Sequence, residues 1–292
     1  MAERLPDNLA LLHEAFSKEG IENLFSGDVY EFDGVEFVCK YKPESTPERF
    51  CIVKPLPFIE YFVEFCSPFQ GGNLFELGIA EGGSTALLAL VTKPKKLVAV
   101  DNESQRLDAL DEFIANRGLG GSVRPFYGVD QGDQPRLREL VAAEFDGPLD
   151  LVLDDASHQL EPTRASFDAL FPYLRPGGIY TIEDWDSDHT FRDGMVAALS
   201  NPTSPAEEAA TARFRKAVAA NAASPPPPQK ASMSRLAVEL LLACASAKDV
   251  VAEVTFNRYW IIVRRGADEV DPNGFRLVDQ FRDYFGYLPA IP

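Results

Sequence analysis

Positive charge is scarce in this chain. Its 292 residues carry 28 Lys and Arg against 45 Asp and Glu, a formal net charge of -17. Nucleic-acid backbones are held by clustered basic side chains that release counterions, so no nucleic-acid partner is expected and a small neutral or cationic substrate fits better. Cysteine is scarce too. Cys39, Cys51, Cys66 and Cys244 form neither a CxxC pair nor a dense framework, which argues against a zinc site or a disulfide scaffold. Long apolar runs are absent. No segment approaches the roughly 20 apolar residues that span a bilayer, and the N-terminus has no positive region followed by an apolar core. A cytoplasmic protein without a membrane partner is expected.

What is present is an alternating pattern. From Asn73 to Glu183 the runs NLFEL, KLVAVD, SVRPFY, LDLVLDD and GIYTIED read as strands. Helical patterns at about 83–91, 104–117, 134–144 and 162–173 separate them, and such alternation predicts a parallel sheet covered by helices. VVAEVTF at 250–256 and RYWIIVRRG at 258–266 are separated by too few residues for a parallel crossover, so they must be antiparallel neighbours or a bent hairpin.

The flanks differ from this centre. Residues 1–70 read as an extension with a helix around 7–19, a possible aromatic hairpin at 28–41 and a helix near Phe58–Phe65. Residues 71–266 form the main domain, and 267–292 an aromatic tail. Within the domain the Ala-rich stretch 191–248, with SPPPPQ at 224–229, breaks the rhythm. It is expected to be a helical insertion, either a lid or an oligomer contact.

Two strand ends carry the chemistry. LDLVLDDASHQLE (149–161) closes in Asp154 and Asp155 with His158 beyond them, and YTIEDWDSDH (180–189) closes in Glu183 and Asp184. In open α/β sheets ligands bind at the carboxyl ends of the strands, so these carboxylates suggest a metal site with His158 as its base. The plainer reading makes them helix caps with a surface histidine; His13 and His189 lack such context and read as surface residues. LFELGIAEGGST (74–85) is a strand, a glycine turn and a helix start, suited to holding a ligand oxygen on free amides. Asp101 ends the next strand where an acidic side chain can accept ribose hydroxyls. Glu76 lies inside a strand, where a carboxylate is costly to bury without a partner, which points to a ligand.

ELGIAEGGST, VAVDN, LVLDDASH and LRPGGIYTIEDWD, in this order, resemble class I methyltransferases that use S-adenosylmethionine. The nearest resemblance is to magnesium-dependent sugar O-methyltransferases, macrolide and rhamnosyl enzymes among them, and to cephalosporin hydroxylase-like proteins. It covers about 54–190 and 250–265. The resemblance implies a Rossmann-like, doubly wound α/β fold with a mostly parallel seven-stranded sheet and an antiparallel last strand. It puts Asp155, Glu183 and Asp184 on Mg2+ and makes His158 the general base. Glu76, Gly78, Ser84 and Thr85 would lie at the methionine part of the cofactor, with Asp154 facing its amino group, and Lys54 in IVKP would lie near the cofactor. Asp101 would take the ribose, and Asp130 with Gln131 the adenine side. Ala156 stands where a glycine is common. The acceptor implied is a hydroxyl of a sugar-containing small molecule, and a homo-oligomer is implied as well.

Two other readings remain open. Ala80 at the middle position of a loose dinucleotide fingerprint admits an NAD(P)-dependent oxidoreductase, which would leave Glu183, Asp184 and the terminal strand pair unexplained. A catalytically silent cofactor-binding partner subunit is the other.

Overall fold

The computed structural model describes residues 27–40, 44–187, 189–190, 232–288 and positions 205, 208, 209, 211, 212 and 216. The expected helix at 7–19 and most of the 191–248 stretch lie outside the described residues.

A seven-stranded sheet forms the centre. Its strands are β4 (Asn73–Leu77), β5 (Lys96–Asp101), β6 (Val123–Tyr127), β7 (Leu149–Asp154), β8 (Leu174–Glu183), β9 (Val251–Phe256) and β10 (Trp260–Arg265), in spatial order β6-β5-β4-β7-β8-β10-β9. The first five in that order are parallel, and β10 is antiparallel to both β8 and β9. This is the predicted mostly parallel sheet with an antiparallel last strand. The chain runs from β4 outward to β5 and β6, then returns to β7 on the other side of β4. That reversal opens a crevice at the carboxyl ends of β4 and β7.

Helices cover both faces, and each face holds its own core. On one side α1 (Leu56–Cys66), α2 (Gly83–Thr92) and α3 (Asp108–Asn116) bury Phe58, Phe62, Leu87, Val91, Leu110 and Phe113. On the other, α4 (Gln134–Glu144), α5 (Leu160–Leu170) and α6 (Ser234–Ser246) bury Leu137, Leu140, Phe167, Leu170, Leu236 and Leu240. Full burial of such a side chain stabilises by about 1.5–3 kcal/mol. The start of α4 has local causes: Asp133 accepts the Arg136 amide at 3.1 Å, and proline stands at the first turn. The buried carboxylate of Glu239 fixes α6 to α5, accepting two hydrogen bonds from Arg164 (2.7 and 2.9 Å) and one from Arg235 (3.0 Å).

A three-stranded sheet precedes this domain. β1 (Val29–Phe32) and β2 (Val35–Cys39) form the expected hairpin, closed by Asp33 and Gly34, both at positive φ (51° and 74°). Positive φ at both central residues is what the two-residue type I′ turn requires. β3 (Arg49–Ile52), which the sequence reading passed over, pairs parallel to β2. The Ser45 hydroxyl ties β3 to the glycine loop: it donates to the Glu81 carbonyl at 2.8 Å and accepts from the Cys51 amide at 3.0 Å. Among the described residues no helix is long and apolar enough to cross a membrane.

Candidate active site

Gly78 is the hinge of the crevice. Its φ is +97°, and a Cβ there would sit 2.1 Å from the Asp155 carbonyl oxygen. Glycine is required on both counts, and the turn after β4 thereby packs directly on the end of β7. Lys54, Gly78, Ile79, Ala80, Ser84 and Asp155 line a cleft between β3 and this turn.

Asp155, Glu183, Asp184 and His158 converge beside that cleft. His158 Nε2 lies 3.7 Å from Asp155 Oδ1 and 3.8 Å from Asp184 Oδ2, and the imidazole is 29% exposed, open to a ligand. Both His158 and Asp184 have φ of 51°. Left-handed backbone at a non-glycine residue costs of order 1 kcal/mol or more and gathers where geometry serves function.

Lys54 is the unexpected member of this group. It is 3% exposed, its ammonium donates to Asp155 Oδ2 at 2.7 Å and to Glu183 Oε1, and it lies 4.9 Å from the centre of the Phe58 ring. Burial alone would push its pKa down; the charges of Asp155 and Glu183 overcome this and hold it above the usual lysine range. Glu183 is buried as well, and its other oxygen accepts from Trp260 Nε1 at 3.1 Å. Burial, then the charge of Asp155, raises its pKa, and Lys54 opposes them. Asp184 is raised by burial against the opposing pull of His158.

Four residues with expected cofactor roles have polar atoms engaged within the protein. Asp154 does not line the cleft: Oδ1 accepts from Gln131 Nε2 (2.7 Å), and Oδ2 from the hydroxyls of Ser166 and Tyr180 (2.7 Å each). Successive residues at a strand end point to opposite sides, so Asp155 takes the cleft and Asp154 the interior. Gln131 follows it inward, and its Oε1 accepts the Ser157 amide at 3.2 Å, bracing the turn that carries His158. Asp101 holds the glycine loop through the Ile79 (2.8 Å) and Ala80 (2.9 Å) amides, while Oδ1 accepts the Glu103 amide at 2.9 Å. Asp130 is exposed and accepts the Gly132 amide at 2.7 Å. The sequence reading did not identify Trp260, Tyr180 and Ser166 as supports; an indole in a strand and hydroxyls in apolar runs were the only signals available.

The glycine loop tests whether a cofactor suits the site. Among the described residues Glu76 Oε2 and Thr85 Oγ1 are buried and make no hydrogen bond of ordinary geometry. Buried polar atoms are otherwise nearly always paired, so this pair calls for a ligand bearing donors such as an amino group. Burial pushes Glu76 up to about 7, with the Ser84 and Thr85 hydroxyls opposing and the Asp155 charge adding to the rise. Burial likewise lifts Asp154 to about 6 despite its three donors, and Asp168 to about 6 despite the Leu277 amide at 2.7 Å.

These shifts fix a pH dependence. A carboxyl whose pKa is higher folded than unfolded adds stability at low pH and loses it as pH rises through the folded value. Glu76, Asp154 and Asp168 place that loss between about pH 4 and 7. The ligand-free protein should therefore lose about 2–4 kcal/mol between about pH 5.5 and about pH 8 from these groups. Denaturant unfolding at the two pH values checks this; equal or greater stability at the higher pH would contradict it.

The parallel sheet carries a crevice at the ends of β4 and β7 and acidic strand ends beside it, and residues 75–185 match a family described as "Methyltransferase domain". Relatives that this chain resembles are named as O-methyltransferases. Demethylmacrocin O-methyltransferase of Streptomyces fradiae is 58% identical over 55 residues, 19% of this chain and 13% of that one. Mycinamicin VI 2''-O-methyltransferase of Micromonospora griseorubida is 50% identical over 56 residues, 18% of this chain and 14% of that one. The matches thus span about one seventh of those relatives' length. A solved structure of the MycE methyltransferase from the mycinamycin biosynthetic pathway, in complex with Mg, SAH and mycinamycin VI, is 19% identical with TM-score 0.48, covering 92% of this chain and 57% of that one.

Proposed function

We propose that this chain is an S-adenosylmethionine-dependent, Mg2+-assisted O-methyltransferase acting on a hydroxyl of a sugar-bearing small molecule. The observation that carries the reading is the meeting of Asp155, Asp184 and His158 at adjacent strand ends beside a glycine loop with unpartnered buried acceptors. Short matches to O-methyltransferases named for rhamnosyl and olivosyl compounds support the acceptor class.

In this reading Glu76 and Thr85 bind the amino end of the cofactor, which the glycine loop seats against the start of α2. S-adenosylmethionine supplies the electrophilic methyl group. Asp155, Asp184 and Glu183 would hold the cation, since carboxylate oxygens suit Mg2+, and the cation supplies Lewis acidity that lowers the pKa of a nearby hydroxyl. His158 takes the acceptor proton at Nε2, and the two flanking carboxylates stabilise the imidazolium that results. Gln131 keeps His158 in place through the Ser157 amide.

Calorimetric titration with S-adenosylhomocysteine, with NAD as control, tests the cofactor class. Saturable binding of the first alone is expected; binding of NAD alone would overturn the reading. Methyl transfer to sugar-bearing acceptors should then fall at least about tenfold in chelator and return with Mg2+. Full activity in chelator would remove the metal and leave the methyltransferase.

A further inference from the structure

Two of the three carboxylates of the proposed metal set are already paired with a cation from within the chain. Lys54 reaches them from the end of β3, outside the family-matched segment, and is as buried as a core residue at 3% exposure. Its ammonium contacts Asp155 and Glu183 together, and Trp260 takes the remaining Glu183 oxygen. Among the described residues no three His, Cys, Asp or Glu side chains are grouped so as to hold a metal ion. The donor chemistry suits a hard divalent cation, while the side-chain arrangement belongs to the Lys54-paired state.

We propose that Lys54 is a resident cation that a divalent metal must displace, so that this one side chain sets the metal affinity of the site. The inference rests on the reading of Asp155, Glu183 and Asp184 as metal ligands. The reasoning is one of exclusion. A metal on Asp155 and Glu183 would need the oxygens that Lys54 holds, and two cations sharing them in a buried, low-dielectric site would repel strongly. Displacement has a nearby route, because Lys54 also lines the cleft beside Gly78 and Ser84. Removing the ammonium would leave the carboxylates unpaired, which is costly in the interior, and a metal would then bind without a competitor.

Titration with Mn2+, followed by the electron paramagnetic resonance of the free ion, tests this on the full chain. Lys54→Met should bind Mn2+ at least about tenfold more tightly than the wild type, since close charge pairs couple at that scale or above. Lys54→Arg should stay weak. Far-ultraviolet circular dichroism and a cooperative thermal transition of each variant serve as the control for folding. Equal or weaker Mn2+ binding by a folded Lys54→Met protein overturns the proposal and leaves the metal reading intact. Mn2+ binding to neither protein overturns both. Should Lys54→Met not fold, the wild type suffices: the 15N signal of the buried Lys54 ammonium should shift or vanish when Mg2+ saturates the protein. A signal unchanged at saturation would overturn the proposal.

Discussion

His158→Ala is expected to lower methyl transfer by about 10²- to 10⁴-fold, the usual contribution of a positioned general base, with S-adenosylhomocysteine affinity unchanged. The imidazole is the one neutral-capable base beside the two carboxylates among the described residues, and its part exposure leaves a face for the acceptor. Its backbone is held in the left-handed region by a turn anchored on Gln131. Alanine removes the ring and leaves that turn in place, so a loss confined to kcat is the signature. Steady-state kinetics with calorimetric cofactor binding check it. Near-normal turnover would remove histidine from the proton transfer.

Glu76→Gln should act in two opposite directions. The carboxylate is fully buried at the glycine loop with one unpartnered oxygen and a pKa pushed up to about 7. If that oxygen takes the cofactor amino group, losing the charge should weaken S-adenosylhomocysteine binding by about 30- to 1,000-fold, the range for truncating one partner of a buried charged pair. The same substitution removes a buried ionisable group, so the ligand-free protein should become more stable at about pH 8, where the native carboxylate is ionised at a cost. Such opposition is common where a site carries groups that the empty fold would rather neutralise. Calorimetry and thermal melting on one variant read both effects. Unchanged affinity would move Glu76 out of the cofactor site.

The contrast between Asp154 and Asp155 shows how far local pattern reaches. Their adjacency marks a strand end carrying charge, and the sequence reading assigned each an outward task. Which one faces the cleft depends on the pleat of β7 between β4 and β8, and that placed Asp154 against Tyr180 and Ser166. Lys54 is a second case. IVKP marks a lysine near the start of a helix, but its partners lie 101 and 129 residues away. Only the pairing of β3 with β2, and the tie of β3 to the glycine loop through Ser45, bring the ammonium to them.

The strand and helix order, the glycine turn, the acidic strand ends and the antiparallel closing pair follow from the sequence alone. Each is a pattern of neighbouring residues: apolar runs of strand length, glycines where φ must be positive, and a link too short for a parallel crossover. Tertiary structure alone decided which carboxylates meet, which are spent on internal hydrogen bonds and which cation balances them. Those outcomes depend on register, as when the antiparallel pairing of β10 on β8 sets Trp260 opposite Glu183. They depend equally on burial, which makes every charge in the crevice seek a partner wherever along the chain that partner lies.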